Sequence, residues 1–258
     1  MEVLNGEIIR RHLNTKYMGR NVIHLDSVES TNDYVKTHGE KFTEGTLVTC
    51  GEQTKGRGRQ GRRWESETGL CMSVLLRPEI EMQHISKITQ VCAAAVSAAL
   101  SELGVEAQIK WPNDIFINGK KVCGILTEMK IAEDGSPLVV VGMGMNVDNA
   151  SFPDDIKQTA SSILLETGMH VEKGIIAAKV LNHFETLYNE LEKGNFEDSL
   201  KICKERSYII GKEINLIEGS KITAATATDI SPDGELQVRY QDGRTGSVIS
   251  GEVSVRIR

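Results

Sequence analysis

Four strand-like segments, at about 107–110, 114–118, 122–131 and 137–147, follow one another with no helical pattern between them. Parallel neighbours need a crossover of a dozen or more residues, usually a helix. This stretch therefore cannot build a simply doubly wound parallel sheet, and it points to adjacent strands in a mixed sheet. The flanks supply the helices. Apolar residues from Ile85 to Leu103 recur at spacings of three, four and one, and Gly104 follows as a stop. A second stripe runs through Ile176, Val180, Phe184, Leu187 and Leu191 within 171–192, and a further helix is expected over 195–207.

Towards the N-terminus a short helix is expected over 5–17, with strands at Asn21–Asp26, Thr46–Cys50 and Leu70–Leu76. Ser30-Thr31-Asn32 offers capping side chains for a helix reaching His38. Residues 52–66 carry glycine and charge without apolar periodicity, and loops of that length are commonly functional. The pattern changes after Gly211. Short alternating strands at 214–216, 236–240 and 253–257 are punctuated by Asp233-Gly234 and Asp242-Gly243, strong hairpin-turn pairs. The expected architecture is α+β: a mixed β-sheet with flanking helices over 1–210, then a small β domain over 211–258.

Thirty basic and thirty-six acidic side chains give a net charge of −6, the opposite of a general nucleic-acid binder. Any basic cluster needs a local reason. Val91–Leu100 and Leu138–Val147 are the most apolar stretches, well short of the roughly 20 residues of a spanning helix. The N-terminus lacks the apolar run of a secretory signal. Five cysteines, none within 20 residues of another, form neither a metal knuckle nor a disulfide framework. A cytoplasmic protein with reduced thiols and no membrane association is expected.

Five segments could carry chemistry. Gln53 leads into Gly56-Arg57-Gly58-Arg59-Gln60-Gly61-Arg62-Arg63-Trp64, where glycines permit close backbone approach and arginines offer forks for phosphate or carboxylate. It is not a P-loop, since no Gly-Lys-Ser/Thr follows. Lys110-Trp111-Pro112-Asn113-Asp114 makes a stiff corner that aims Asn113 and Asp114. Lys120-Lys121-Val122-Cys123-Gly124 sets two lysines before an apolar strand with a bare position at Gly124. Gly142-Met143-Gly144-Met145-Asn146 strips one strand face of side chains and follows it with an amide. Ser30-Thr31-Asn32 clusters hydroxyls and an amide. Each has a plain alternative as a solvated turn, a hairpin or a helix cap.

Taken together and in this order, the five segments resemble the biotin protein ligases, and the terminal Gly251-Glu252-Val253-Ser254-Val255-Arg256 extends the likeness. The resemblance implies a biotin/lipoate ligase-like catalytic domain with an SH3-like β-barrel behind it. It implies adenylation of biotin by ATP, with Mg²⁺, and transfer of biotin to one lysine of a biotin carboxyl carrier protein domain. Lys121, Arg57, Arg59 and Asp114 would be catalytic. Ser30, Thr31, Asn32, Gln53, Arg57, Gly58, Arg59, Lys121, Gly124, Gly142 and Gly144 would bind biotin. Arg59, Arg62, Trp64, Asn113, Asn146 and Arg256 would bind ATP, with Asn113 and Asn146 reading adenine; no protein ligand for a metal is singled out.

Alternation along the strand implies that Lys120 and Lys121 cannot both face the pocket; the resemblance puts Lys121 on the ligand side, which leaves Lys120 in water. Some relatives carry a winged-helix DNA-binding domain of about 60 residues; about 29 residues precede Ser30 here. The expectation is the class without that domain and without specific nucleic-acid binding. Monomer and homodimer are both left open. A lipoate–protein ligase and a non-catalytic biotin-responsive regulator are the rivals; the polar Ser30/Thr31/Gln53 set suits a ureido ring better than a dithiolane.

Overall fold

The structure is a computed structural model that describes residues 6–64, 68–249 and 254–257. Seven strands form one sheet: β1 (Val22–Val28), β2 (Leu47–Gln53), β3 (Leu70–Leu76), β4 (Gln108–Lys110), β5 (Asp114–Ile117), β6 (Lys120–Ile131) and β7 (Pro137–Met145). Their order is β1-β2-β3-β7-β6-β5-β4, with β1 and β2 parallel and the other pairs antiparallel. Strands β4 to β7 are the helix-free run, and the mixed sheet they complete is the expected α+β arrangement.

Six α-helices are described: α1 (Gly6–His12), α2 (Thr31–His38), α3 (Lys87–Glu102), α4 (Ile163–Thr167), α5 (Lys173–Glu192) and α6 (Glu197–Glu205). Period-two alternation sorts the sheet's two faces. Val139, Val141, Met143 and Met145 of β7 join the main core with Val91 of α3 and Val180 and Phe184 of α5. Each fully buried side chain of that size contributes about 1.5–3 kcal/mol. Leu138 and Val140 point the other way, into a smaller cluster with Val35 of α2, Val48 and Leu75. Gly142 and Gly144 continue that second face. There the apolar cluster gives way to a cleft beside α2.

Helix α1 stops at His12, short of the expected 17. The buried carboxylate of Glu185 on α5 accepts the backbone N–H groups of Lys16, Tyr17 and Met18 at 2.5, 2.9 and 2.8 Å. That competing acceptor draws the chain out of the helix. Helix α4 was not expected; Ser162 caps it.

The C-terminal segment has five strands in one antiparallel sheet: β8 (Glu213–Glu218), β9 (Lys221–Ile230), β10 (Leu236–Tyr240), β11 (Thr245–Val248) and β12 (Ser254–Ile257). Strands β9 and β11 escape the sequence reading because their alternating residues are mostly Thr, Ala, Gly and Ser, with little apolar contrast. The two Asp-Gly pairs form the expected turns, with Gly234 and Gly243 at φ 81° and 85°. The sheet order is β11-β10-β9-β8-β12, and no β11–β12 pairing closes it into a full barrel among the described residues. The Gly234 carbonyl accepts hydrogen bonds from Gln90 Nε2 (2.8 Å) and Trp111 Nε1 (3.0 Å). One hydrophobic cluster runs from the large sheet into this small one. Among the described residues no helix is long and apolar enough to cross a membrane.

Candidate active site

Ser30, Thr31, Asn32, Gln53, Arg57, Gly58, Arg59, Trp64, Asn113, Lys121, Gly124, Gly142 and Gly144 line one cavity of about 50 Å³, completed by Ile125, Leu126 and Met143. Thirteen positions drawn from all five sequence segments thus converge. Asp114, Arg62, Asn146 and Arg256 lie outside the lining. The volume holds only a few waters at about 10–15 Å³ each. It is far below the roughly 300–1,000 Å³ of small-molecule sites.

The polar end is one connected network. Ser30 Oγ caps α2 by accepting the Asp33 N–H. Gln53 Oε1 accepts from Thr31 N–H at 2.9 Å and from Thr31 Oγ1 at 3.1 Å. Ser73 Oγ lies 2.7 Å from Thr31 Oγ1 and 2.6 Å from Asn32 Oδ1. Asn32 Nδ2 donates to Leu126 O and to Glu128 Oε2. A Cβ on Gly142 would stand 2.2 Å from Asn32 Oδ1, so the bare position first serves to seat Asn32. A Cβ on Gly144 would stand 2.5 Å from the Trp64 indole, which lies over that glycine and lines the cavity.

Strand β6 carries a bulge opposite the Ile115–Phe116 step: Cys123 pairs with Ile115, Lys121 with Phe116, and Val122 is the extra residue. Its carbonyl is taken by the Asn146 N–H at 2.8 Å. Lys121 therefore shares a face with Gly124. Its Nζ is 2.6 Å from Asp114 Oδ1 and 5.5 Å from the Trp64 ring centroid. Lys120 diverges, with Nζ 3.6 Å from Glu166 Oε1.

Lys121 is joined by further positive charge. Arg59 Nη1 donates to Asn113 Oδ1 at 2.8 Å. Burial lowers the Arg59 pKa, and Arg62 adds to this against the pull of Asp114. Burial likewise lowers Lys110; Asp114 opposes this, while Lys121, Arg62 and Arg256 reinforce it. That coupling puts Arg256, from β12, within electrostatic reach of the large sheet's corner. Lys110 was quoted in the sequence motif but assigned no role. Its signal was charge beside Trp111-Pro112, and only the fold shows three more cations around it.

Two expectations change in detail. Asn113 does not present a free amide: Nδ2 donates to Ile125 O and Asp114 Oδ1, and Oδ1 holds Arg59. Asn146 does keep a buried acceptor. Its Nδ2 donates to Ser161 O, while Oδ1 has no partner among the described residues. The Arg57 guanidinium contacts Asp33 and Glu128 and is not a free cation aimed at the cavity. Asp33 and Glu128, like Ser73, were missed because the residues they serve are far away in sequence.

Residues 24–146 match the model of the biotin/lipoate A/B protein ligase family, and residues 209–256 match the biotin protein ligase C terminal domain. The chain is 34% identical over 246 residues to the bifunctional ligase/repressor BirA of Bacillus spizizenii, covering 93% of this chain and 76% of that one. It is 29% identical over 219 residues to the biotin–[acetyl-CoA-carboxylase] ligase of Mycobacterium tuberculosis, covering 81% and 79%. The solved biotin protein ligase from Aquifex aeolicus in complex with biotin and ATP superposes with a TM-score of 0.81 at 30% identity, over 93% of this chain and 100% of that one.

Proposed function

This chain belongs to the biotin protein ligase family, and from that premise we propose how its cleft carries out the family's chemistry. The protein is a ligase that activates biotin with ATP and transfers it to a carrier. In the first step a biotin carboxylate oxygen attacks the α-phosphorus of ATP. The bond to the bridging oxygen breaks, leaving biotinyl-AMP and pyrophosphate. In the second step the amine of a lysine on a biotin carboxyl carrier protein domain attacks the acyl carbon. An amide forms, AMP leaves with the bond electrons, and the amine gives up a proton.

Both reacting groups of the first step are anions, so the protein must offset their repulsion. The observation that carries this reading is Lys121, held on the cleft face by the bulge and aimed by Asp114 between the polar network and the cationic corner. Lys121 takes the biotin carboxylate and the developing charge at the α-phosphate. Ser30, Thr31, Asn32 and Gln53 bond the ureido ring, with the backbone of Arg57 and Gly58 closing over it. Gly124, Gly142 and Gly144 give the flat ligand its wall. Arg59, Arg62, Lys110 and Arg256 gather the phosphates.

The unpartnered Asn146 Oδ1 suits the adenine amino group, and Trp64 shifts from Gly144 to pack beside the base. Asn113 positions Arg59. Asp114 orients Lys121 and then accepts the proton of the incoming amine. Mg²⁺ would enter with ATP and would offset negative charge on its phosphates. Among the described residues no group of three or more His, Cys, Asp or Glu could hold a metal ion, and no protein ligand is named.

The net charge of −6 weighs against general nucleic-acid binding, and five buried free thiols suit a reducing compartment such as the cytoplasm. Pyrophosphate exchange into ATP tests the reading. Exchange dependent on biotin and absent with lipoate is expected. Lipoate-dependent exchange would favour the lipoate ligase, and biotin binding without exchange would favour a regulator.

A further inference from the structure

The Gly56–Trp64 loop carries four arginines and directly follows Lys55, and like charges this close repel one another. Something must hold it against the sheet. The Arg57 guanidinium reaches two other elements bordering the cleft. It contacts the Asp33 carboxylate, on the first turn of α2, and Glu128 Oε1 of β6 at 3.4 Å. Lys36 Nζ lies 2.9 Å from the same Asp33 oxygen and 2.7 Å from the same Glu128 oxygen. Burial lowers the Lys36 pKa, but its bonds to Glu128 and Asp33 outweigh that and leave it raised.

The charge count gives the reason. Two carboxylates face two cations only while Arg57 is in place. Lifting the loop leaves Asp33 and Glu128 with Lys36 alone, a net charge of −1 at the cleft rim. Asp33 and Arg57 are about two-fifths exposed, whereas Glu128 is only 21% exposed, so it is not simply neutralised by water. Glu128 also accepts from Asn32, so the same carboxylate joins the loop to the network under the ureido ring.

We propose that Asp33 and Glu128 are positioning residues for ligation: acting through Arg57, they latch the Gly56–Trp64 loop over the cleft and set how long biotin stays. The proposal rests on the cleft being the biotin site. The latch is electrostatic and partly exposed, so it weakens as salt rises.

Stopped-flow measurement of biotin dissociation, followed by tryptophan fluorescence, tests it in the full chain. Asp33→Asn and Glu128→Gln should each speed release roughly three- to five-fold, the size expected of a partly exposed ion pair. KM for biotin should rise while kcat holds. Asp33 also favours the α2 N-terminus, so its loss has a structural effect of its own.

A double-mutant cycle with Arg57→Gln separates the two. If the latch operates, Asp33→Asn adds little to release once Arg57 is gone. Additive effects, or unchanged release in both single variants, would overturn the proposal. Absence of biotin binding by the unaltered protein would instead overturn the reading of the cleft.

Discussion

Lys121 and Gly124 stand three residues apart on β6, yet the lysine's Nζ lies 2.9 Å from the place where Gly124 would carry a Cβ. In a regular strand that spacing puts two side chains on opposite faces. The extra residue at Val122 reverses the parity and turns the ammonium onto the bare strand surface.

Gly124→Ala tests that relationship. The atoms nearest the added methyl are the flexible end of Lys121 and, at 3.4 Å, the Trp64 ring, so the fold should survive. The ammonium must move off Asp114. Adenylation should fall roughly ten- to a hundred-fold, the scale of a misplacement of about 1 Å. Pyrophosphate release with biotin and ATP saturating, beside a melting curve, checks both halves.

Lys121→Met and Lys120→Met should separate sharply. Losing Lys121 removes a cation aimed at a developing anion and should cost roughly 10²-fold or more in adenylation. Lys120 is 41% exposed and only loosely paired with Glu166, a contact of about 0–1 kcal/mol. Its loss should leave pyrophosphate release nearly unchanged. Equal losses would place the bulge at another residue.

Gly142→Ala should damage both binding and folding. Its methyl would stand 2.2 Å from Asn32 Oδ1, and Asn32 is tied to Ser73, Leu126 and Glu128. Overpacking of this kind costs about 1–3 kcal/mol. A lowered denaturation midpoint together with weaker biotin binding is expected. An unchanged midpoint would mean that Asn32 is free to move.

ATP binding should couple to protons through Lys110. Its pKa is lowered from 10.5, first by burial, so free Lys110 starts to lose its proton below the ordinary lysine range. A bound phosphate favours the ammonium and raises the pKa again. Affinity should therefore be full at neutral pH and decline through the window between the lowered value and 10.5, with proton uptake on binding. Folding stability runs the opposite way across that window and rises with pH, because the unfolded chain holds the proton more tightly. Calorimetry in two buffers of different ionisation enthalpy reads the uptake, and Lys110→Met should abolish it.

Local periodicity carried much of the architecture. Helices α3 and α5, the strands from β4 to β7 and both Asp-Gly turns are visible in residue spacing, because each is stabilised by neighbours close along the chain. Strand β9 was not visible: Thr-Ala alternation has little apolar contrast, and its place comes from pairing with β8 and β10. The five motifs named the residues of the cleft, but not what each side chain touches. Asn113 and Arg57 were both expected to serve a ligand directly, and both first serve other protein groups.

The amino-acid order by itself determined the mixed-sheet class, the change of pattern after Gly211 and the set of residues available for chemistry, all through periods of two and 3.6 and through residue type. The tertiary structure alone decided the face that Lys121 occupies, the cations that surround Lys110 and the anchor for the glycine-arginine loop. The physical reason is range. A bulge alters parity only against a paired strand, and charges interact across space. Arg57 meets Glu128, 71 residues away, only because the Gly56–Trp64 loop and β6 border the same cleft.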